Sequence, residues 1–221
     1  PALIAQSMAS LDSISGGRAI LGLGTSGRIV IEDWHGVPFE KPIENTEEYV
    51  AIIRQALSGQ RLDYSSDNFN LKGFRLNINP TQSEIPIYLA SLGPRNLELT
   101  GKIANGWIPI WVHYEHLPSL KASVEAGSIS VGRDPSLVKV CPQILCYMAE
   151  TSRERETGKD LIRRHIAYYV AGMGTYYYNL FCRYGYKTES DKVREAWVRN
   201  DREAASRAIS DDMIEAIAVT G

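Results

Sequence analysis

Two short runs hold the residues best suited to chemistry. One is Leu21-Gly22-Leu23-Gly24-Thr25-Ser26-Gly27, the other Leu89-Ala90-Ser91-Leu92-Gly93-Pro94-Arg95-Asn96. In each, an apolar strand-like stretch empties into a turn of glycines and small hydroxyl residues. Glycine lets a backbone approach a flat ring or a phosphate with no Cβ in the way. The second run opens into a helix expected to begin near Asn96, whose free N–H groups and positive dipole end favour an anion. Two parallel strands ending in such loops are how (β/α) proteins build anionic-cofactor sites. The predicted cofactor-binding residues are therefore Gly24, Thr25, Ser26, Gly27, Ser91, Leu92, Gly93, Pro94 and Arg95. Thr25 and Ser26 offer hydroxyls or amides to a polar ring edge, and Arg95 adds a charge at the phosphate. Each has a plainer role open to it. The glycines relieve crowding between strands, Gly93-Pro94 makes a strand-to-helix turn, and Arg95 serves as a solvated helix-start charge.

The remaining polar candidates are weaker. Glu32 and His35 lie on the long loop after the first strand, where an acid–base pair would sit, although a histidine beside Trp34 also suits packing. His113 occupies a similar strand-end position. His116 and His165 have no recognisable chemical neighbourhood. Arg18 is expected to pair with a carboxylate at the far end of the strands from these loops. Tyr168, Tyr169, Tyr176, Tyr177 and Tyr178 read as helix packing or, alternatively, as a cover over substrate. No metal-ligand spacing is present.

The elements that position these residues follow from periodicity. Ala2 to Ile14 has helical spacing and stops at Ser15-Gly16-Gly17. Arg18 to Gly24 reads as a buried strand. Asn45 with Glu48 three residues on reads as a capping box opening a helix whose apolar face is Tyr49, Ile52, Ile53 and Leu57. Residues 60–80 carry turn signals and suggest a hairpin excursion. Ile85–Ala90, Trp107–Val112 and Leu137–Met148 then read as strands, alternating with helices at Asn96–Ala104 and near Leu117–Ala126. That rhythm requires a parallel sheet with covering helices. Residues 151–218 read as a helical insertion, and Val219-Thr220-Gly221 shows no closing strand.

A net charge of −2 gives no bulk attraction to nucleic acid or to an acidic membrane surface. No apolar run approaches the roughly 20 residues of a membrane helix. Cys141, Cys146 and Cys182 are odd in number, which suits reduced thiols in the cytoplasm. Cys141 and Cys146 fall in one apolar run and are expected in the core.

Several pieces together resemble the luciferase-like monooxygenase superfamily: Ala5-Gln6-Ser7-Met8-Ala9-Ser10-Leu11-Asp12, then Ser15-Gly16-Gly17-Arg18, then Leu21-Gly22-Leu23-Gly24. Glu47-Glu48-Tyr49-Val50, Ile85-Pro86-Ile87-Tyr88-Leu89-Ala90, Gly93-Pro94, Glu98-Leu99 and Ala104-Asn105-Gly106-Trp107 continue the match. Gly24 to Gly27, with Glu32, Trp34-His35-Gly36-Val37-Pro38-Phe39 and Pro42, is most similar to the coenzyme F420-dependent, methylenetetrahydromethanopterin reductase-like branch. So are Tyr178-Asn179-Leu180 and Arg183-Tyr184-Gly185-Tyr186. The resemblance implies an α/β fold, the (β/α)8 TIM barrel, with the cofactor at the carboxyl ends of the strands. Only about four barrel strands are legible against the eight of a closed barrel of typically ~250 residues. The expectation is one domain over 1–221, a partial barrel of about strands 4 to 7.

The resemblance further implies an oxidoreductase that passes hydride between F420 and a small organic substrate, acting as a homo-oligomer in the full-length protein. An FMN-dependent monooxygenase is the alternative, and a non-catalytic barrel serving as a binding module is the alternative of another class. In that family the earlier strands help build the ring pocket, so no catalytic residue is assigned.

Overall fold

The computed structural model describes residues 1–221, which pack as two compact units. The first comprises Pro1–Thr25, Glu40–Pro109 and Leu120–Cys141, and the second Ser26–Phe39, Ile110–Ser119 and Pro142–Gly221.

In the first unit, α1 (Ala2–Ser15) ends where Gly16 turns left-handed at φ 67° and its N–H returns to Asp12 and Ser13 carbonyls. β1 (Leu21–Leu23) follows. α2 (Pro42–Leu57) begins three residues before the expected cap. Proline's fixed φ opens the helix, Asn45 lies within the first turn and donates to the Glu40 carbonyl at 2.8 Å, and no capping box forms. Glu48 instead reaches the hairpin of β2 (Leu62–Ser65) and β3 (Asn70–Phe74), accepting from Ser66 and from Asn68 Nδ2. The hairpin is antiparallel, in the predicted place.

β4 (Ile87–Leu89), α3 (Pro94–Ile103), β5 (Gly106–Trp107), α4 (Leu117–Ser130) and β6 (Lys139–Val140) complete the alternation. The sheet order is β1-β4-β5-β6, and its pairings are parallel. Leu21 faces Ile87 and Leu23 faces Leu89 in register. The predicted face of α2 packs on this sheet, with Ile52 and Ile53 buried against Leu21, Leu62, Ile85 and Ile87.

The expected strand over Trp107–Val112 is shorter in the structure: β5 ends at Trp107, and Trp111 adopts a left-handed φ of 59° that bars a continuous strand through it. In the second unit only a single bridge, Ile110 to Gln143, continues it. The predicted strand Leu137–Met148 likewise divides. β6 ends before Pro142, which has no N–H for a ladder, and β7 (Leu145–Tyr147) joins a different sheet. Its parallel partner is β8 (Ala218–Thr220), so the expectation of no strand at Val219-Thr220 is corrected. Between them run α5 (Ser152–Ala167), α6 (Tyr176–Arg183), α7 (Lys187–Val198), α8 (Arg202–Arg207) and α9 (Asp211–Ile217), matching the predicted helical stretch. α5 opens with a capping box between Thr151 and Glu154.

Cys141 and Cys146 are exposed, against the expected core placement. Strand alternation turns Cys146 outward between half-buried Leu145 and Tyr147.

Candidate functional site

Within the first unit, the register of β1 and β4 brings their carboxyl ends side by side. The Ala90 N–H donates to the Leu23 carbonyl at 2.8 Å. A Cβ on Gly24 would stand 3.4 Å from that of Ala90, and both residues are exposed. Gly24 thus lies beside Ala90, where the turn to Gly93 begins. Ser26 and Gly27 belong to the second unit. Ser26 is left-handed at φ 57°, and the Gly27 carbonyl accepts from Ile31 N–H at 3.1 Å. Open space surrounds the position of a Gly27 Cβ.

The second predicted run divides into framework and surface. Ser91 is buried, and its Oγ lies 2.7 Å from Thr100 Oγ1. Because Thr100 Oγ1 donates to the Asn96 carbonyl at 2.8 Å, Ser91 is the donor in that pair. The Ser91 carbonyl accepts from Trp107 Nε1 at 2.8 Å. Leu92 is buried. These contacts hold the loop rigid beneath its exposed tip.

The helix begins at Pro94, two residues before the expected start, with Gly93 as an extended N-cap at φ −84° and ψ 148°. The Gly93 carbonyl accepts from both Asn96 and Leu97 N–H groups, at 3.0 and 2.9 Å. Pro94 has no N–H, which leaves the Arg95 amide as the first-turn donor without a helical acceptor. The Arg95 side chain is exposed and meets Glu44 Oε1 at 3.2 Å. Asn96 Oδ1 is buried with no partner. An orphaned amide oxygen, a helix N-terminus and an exposed small-residue turn fit a ligand with an anionic group and nearby hydrogen-bond donors. Sequence reasoning passed over Asn96; its place two residues after Gly-Pro was the available signal.

In the second unit, Glu32 is engaged by Arg28 and accepts from Phe39 N–H at 3.1 Å. His35 is exposed on the following turn. His113 is buried and caps a one-turn 3₁₀ helix, its Nδ1 accepting from Glu115 N–H at 3.2 Å. Its neutral form therefore carries the proton on Nε2, which lies 3.4 Å from the Tyr186 hydroxyl. Burial first, then the charge of His116, holds the His113 pKa below its usual value, against a smaller opposing pull from Glu115. Burial alone lowers that of His165.

The predicted tyrosine packing is present at half-buried Tyr169, Tyr177 and Tyr178, while Tyr168 and Tyr176 are exposed. Trp111 stacks near His165, Tyr169 and Phe181, and Tyr169 meets Tyr177 edge-on at 4.8 Å. Burial pushes the Tyr177 phenol up to about 12.

Arg18 meets no carboxylate. Its Nε donates to the Ser15 carbonyl at 2.7 Å, closing the turn after α1. No group of histidine, cysteine and acidic residues is arranged to hold a metal, and no helix is long and apolar enough to cross a membrane.

The sequence and the fold have known counterparts. The chain is 27% identical over 226 residues to 5,10-methylenetetrahydromethanopterin reductase of Archaeoglobus fulgidus, an alignment covering all of this chain and 65% of that protein. The Methanolobus tindarius enzyme of the same name is 31% identical over 171 residues, covering 77% of this chain and 51% of the relative. The structure of the coenzyme F420-dependent tetrahydromethanopterin reductase from Methanopyrus kandleri superposes with a TM-score of 0.84 at 25% identity, over 99% of this chain and 65% of that one. An F420-dependent secondary alcohol dehydrogenase, solved with an F420–acetone adduct, shares the fold at a TM-score of 0.76 and 19% identity, over 100% of this chain and 62% of that one. The chain thus spans about two thirds or less of the length of these proteins. Its fold is the α/β, luciferase-like barrel type. Residues 1–221 match the family model described as luciferase-like monooxygenase, and the chain belongs to that family.

Proposed function

We propose that this chain is part of an oxidoreductase that uses coenzyme F420 to exchange hydride with a small organic substrate. The observation that carries the reading is the pairing of the β1 and β4 carboxyl ends, which sets Gly24 beside Ala90 and opens into the first turn of α3. The similarity to the archaeal reductases supports it. Gly24 and Thr25 would lie against one part of the cofactor, and Leu92, Gly93, Pro94 and Arg95 against its phosphate. Ser26 and Gly27 continue the first loop. Ser91 acts by holding that loop in place through Thr100 and Trp107. The Arg95 amide and the dipole of α3 bind the anion, while Leu92 keeps water from the turn behind it. When bound, the deazaflavin supplies two-electron hydride transfer with little reactivity toward oxygen. We further take the assembly to be homo-oligomeric and the compartment the reducing cytoplasm, consistent with three free cysteines.

Equilibrium titration with F420 and FMN tests the reading. F420 should bind more tightly. Tighter FMN binding, with reduced flavin consumed by oxygen, would replace it with the monooxygenase alternative. Gly93→Asp should weaken F420 binding tenfold or more, about 1.4 kcal/mol, because a carboxylate then faces the phosphate. Unchanged affinity in a folded variant would move the phosphate site elsewhere.

A further inference from the structure

At the amino ends of β4, β5 and β6, the opposite pole from the glycine loops, the first unit contains an open cleft of about 660 Å³. That volume suits a small molecule. Arg54, Lys102 and Arg133 line it against one carboxylate, Glu84. Glu84 does not close the balance. It is more than half exposed, lies 3.5 Å from Arg54 Nη2, and also accepts from Asn105 Nδ2 at 3.1 Å.

Both guanidiniums are anchored through one arm. Arg54 Nη2 donates at 2.9 Å to Asn105 Oδ1, which also accepts the Ile87 N–H at 3.0 Å. Arg133 Nη1 donates to the Gly101 carbonyl at 3.0 Å. Anchoring fixes the charges without consuming the forks, and Arg54 Nε is buried with no hydrogen-bond partner at all. Burial, followed by the neighbouring charge of Arg54, pulls the Arg133 pKa down, with only Glu84 opposing, so the two guanidiniums repel each other across this cleft. Fixed like charges are costly to hold together, and an anion with several oxygens between them relieves that cost.

We propose that this cleft is a second ligand site, for a small molecule bearing clustered anionic oxygens such as a phosphate group or paired carboxylates. Lys102, exposed at the rim, adds a flexible charge to the two fixed forks. The site is separate from the glycine loops and stands whether or not they hold F420.

Calorimetric titration with pyrophosphate and with citrate, at constant ionic strength, tests it. Saturable binding of at least one is expected, and whichever binds more tightly identifies phosphate or carboxylate as the preferred source. Lys102→Gln, a surface change that leaves the fold alone, should weaken it about threefold. Arg133→Gln should weaken it tenfold or more, with Arg133→Lys recovering part of the loss. Gly93→Asp should leave it unchanged. The proposal is overturned by absence of saturable binding to either anion, by equal affinity in Lys102→Gln and Arg133→Gln, or by loss of binding in Gly93→Asp.

Discussion

At the carboxyl ends of β1 and β4 the chain places Gly24, Thr25, Ala90, Leu92 and Gly93, whereas at the amino ends of the same sheet it places Asp12, Gln82, Glu84, Asn105 and Arg54. The amino end is tied by side chains. Buried Asp12 accepts from Gln82 N–H at 2.8 Å and Gln82 Nε2 at 2.6 Å, and Gln82 Nε2 also meets the Ala19 carbonyl. Asn105 ties Arg54 to the start of β4. At the carboxyl end, Ser91, Thr100 and Trp107 tie the loop from beneath, and the small residues Gly24 and Ala90 are exposed. The amino end is held by polar side chains, whereas small residues are exposed at the carboxyl end, where (β/α) barrels place their active sites.

Glycine substitutions break the comparison most severely. A Cβ on Gly101, near the amino end, would stand 1.9 Å from the Val124 carbonyl oxygen, where α3 and α4 touch backbone to backbone. Gly101→Ala should cost about 3 kcal/mol or more, at or beyond the upper end of overpacking penalties. Gly24→Ala meets only ordinary contact at 3.4 Å and should cost under ~1 kcal/mol while lowering cofactor affinity. Chemical denaturation of both variants measures the difference; similar losses would erase the distinction between the two ends.

Trp107→Phe probes the framework beneath the carboxyl end. The indole is fully buried, and its loss leaves the Ser91 carbonyl without its donor. The expected penalty is about 1–3 kcal/mol, accompanied by weaker F420 binding as the loop loosens. Unchanged affinity in the destabilised variant would show that the loop does not need this support.

Acid sharpens the contrast. Burial alone would raise the Asp12 pKa, but hydrogen bonds from Gln82, Ala19 and Thr81 outweigh it and hold the carboxyl below its ordinary 3.8. A carboxylate depressed on folding stabilises the fold above its unfolded pKa and loses that contribution as pH falls through the folded value. Asp12→Asn should therefore lower Tm at neutral pH, and the gap from wild type should close below about pH 4. A gap that persists to pH 2 would assign the Asp12 contribution to shape rather than charge.

Legibility in the sequence follows how local each cause is. The βα rhythm, the hairpin and the glycine loops are written in adjacent residues, and all were readable. The start of α2 was misread because Pro42 outcompetes Asn45, a choice decided by Glu48 finding Ser66 and Asn68 across the hairpin. β8 was invisible because three residues acquire strand geometry only beside β7. Asn96 looked like an ordinary helix residue until burial removed its partners. The basic cleft assembles from positions 54, 102 and 133, which no sequence window joins.

Arg95→Gln is the mildest test and addresses whether charge matters at all at the carboxyl end. Arg95 is three-quarters exposed, and its only ion pair, with Glu44 at 3.2 Å, is also solvated. Such pairs contribute about 0–1 kcal/mol, so Tm should scarcely move. If the first turn of α3 binds phosphate chiefly through backbone and dipole, F420 affinity should fall only a few-fold at low salt. The deficit should shrink further as salt screens the exposed guanidinium, over a Debye length of about 8 Å at physiological ionic strength. A loss beyond tenfold that survives high salt would mean that Arg95 leaves Glu44 and contacts the anion directly. The carboxyl end would then depend on a charged side chain as the amino end does, and its division from the amino end would be one of position alone.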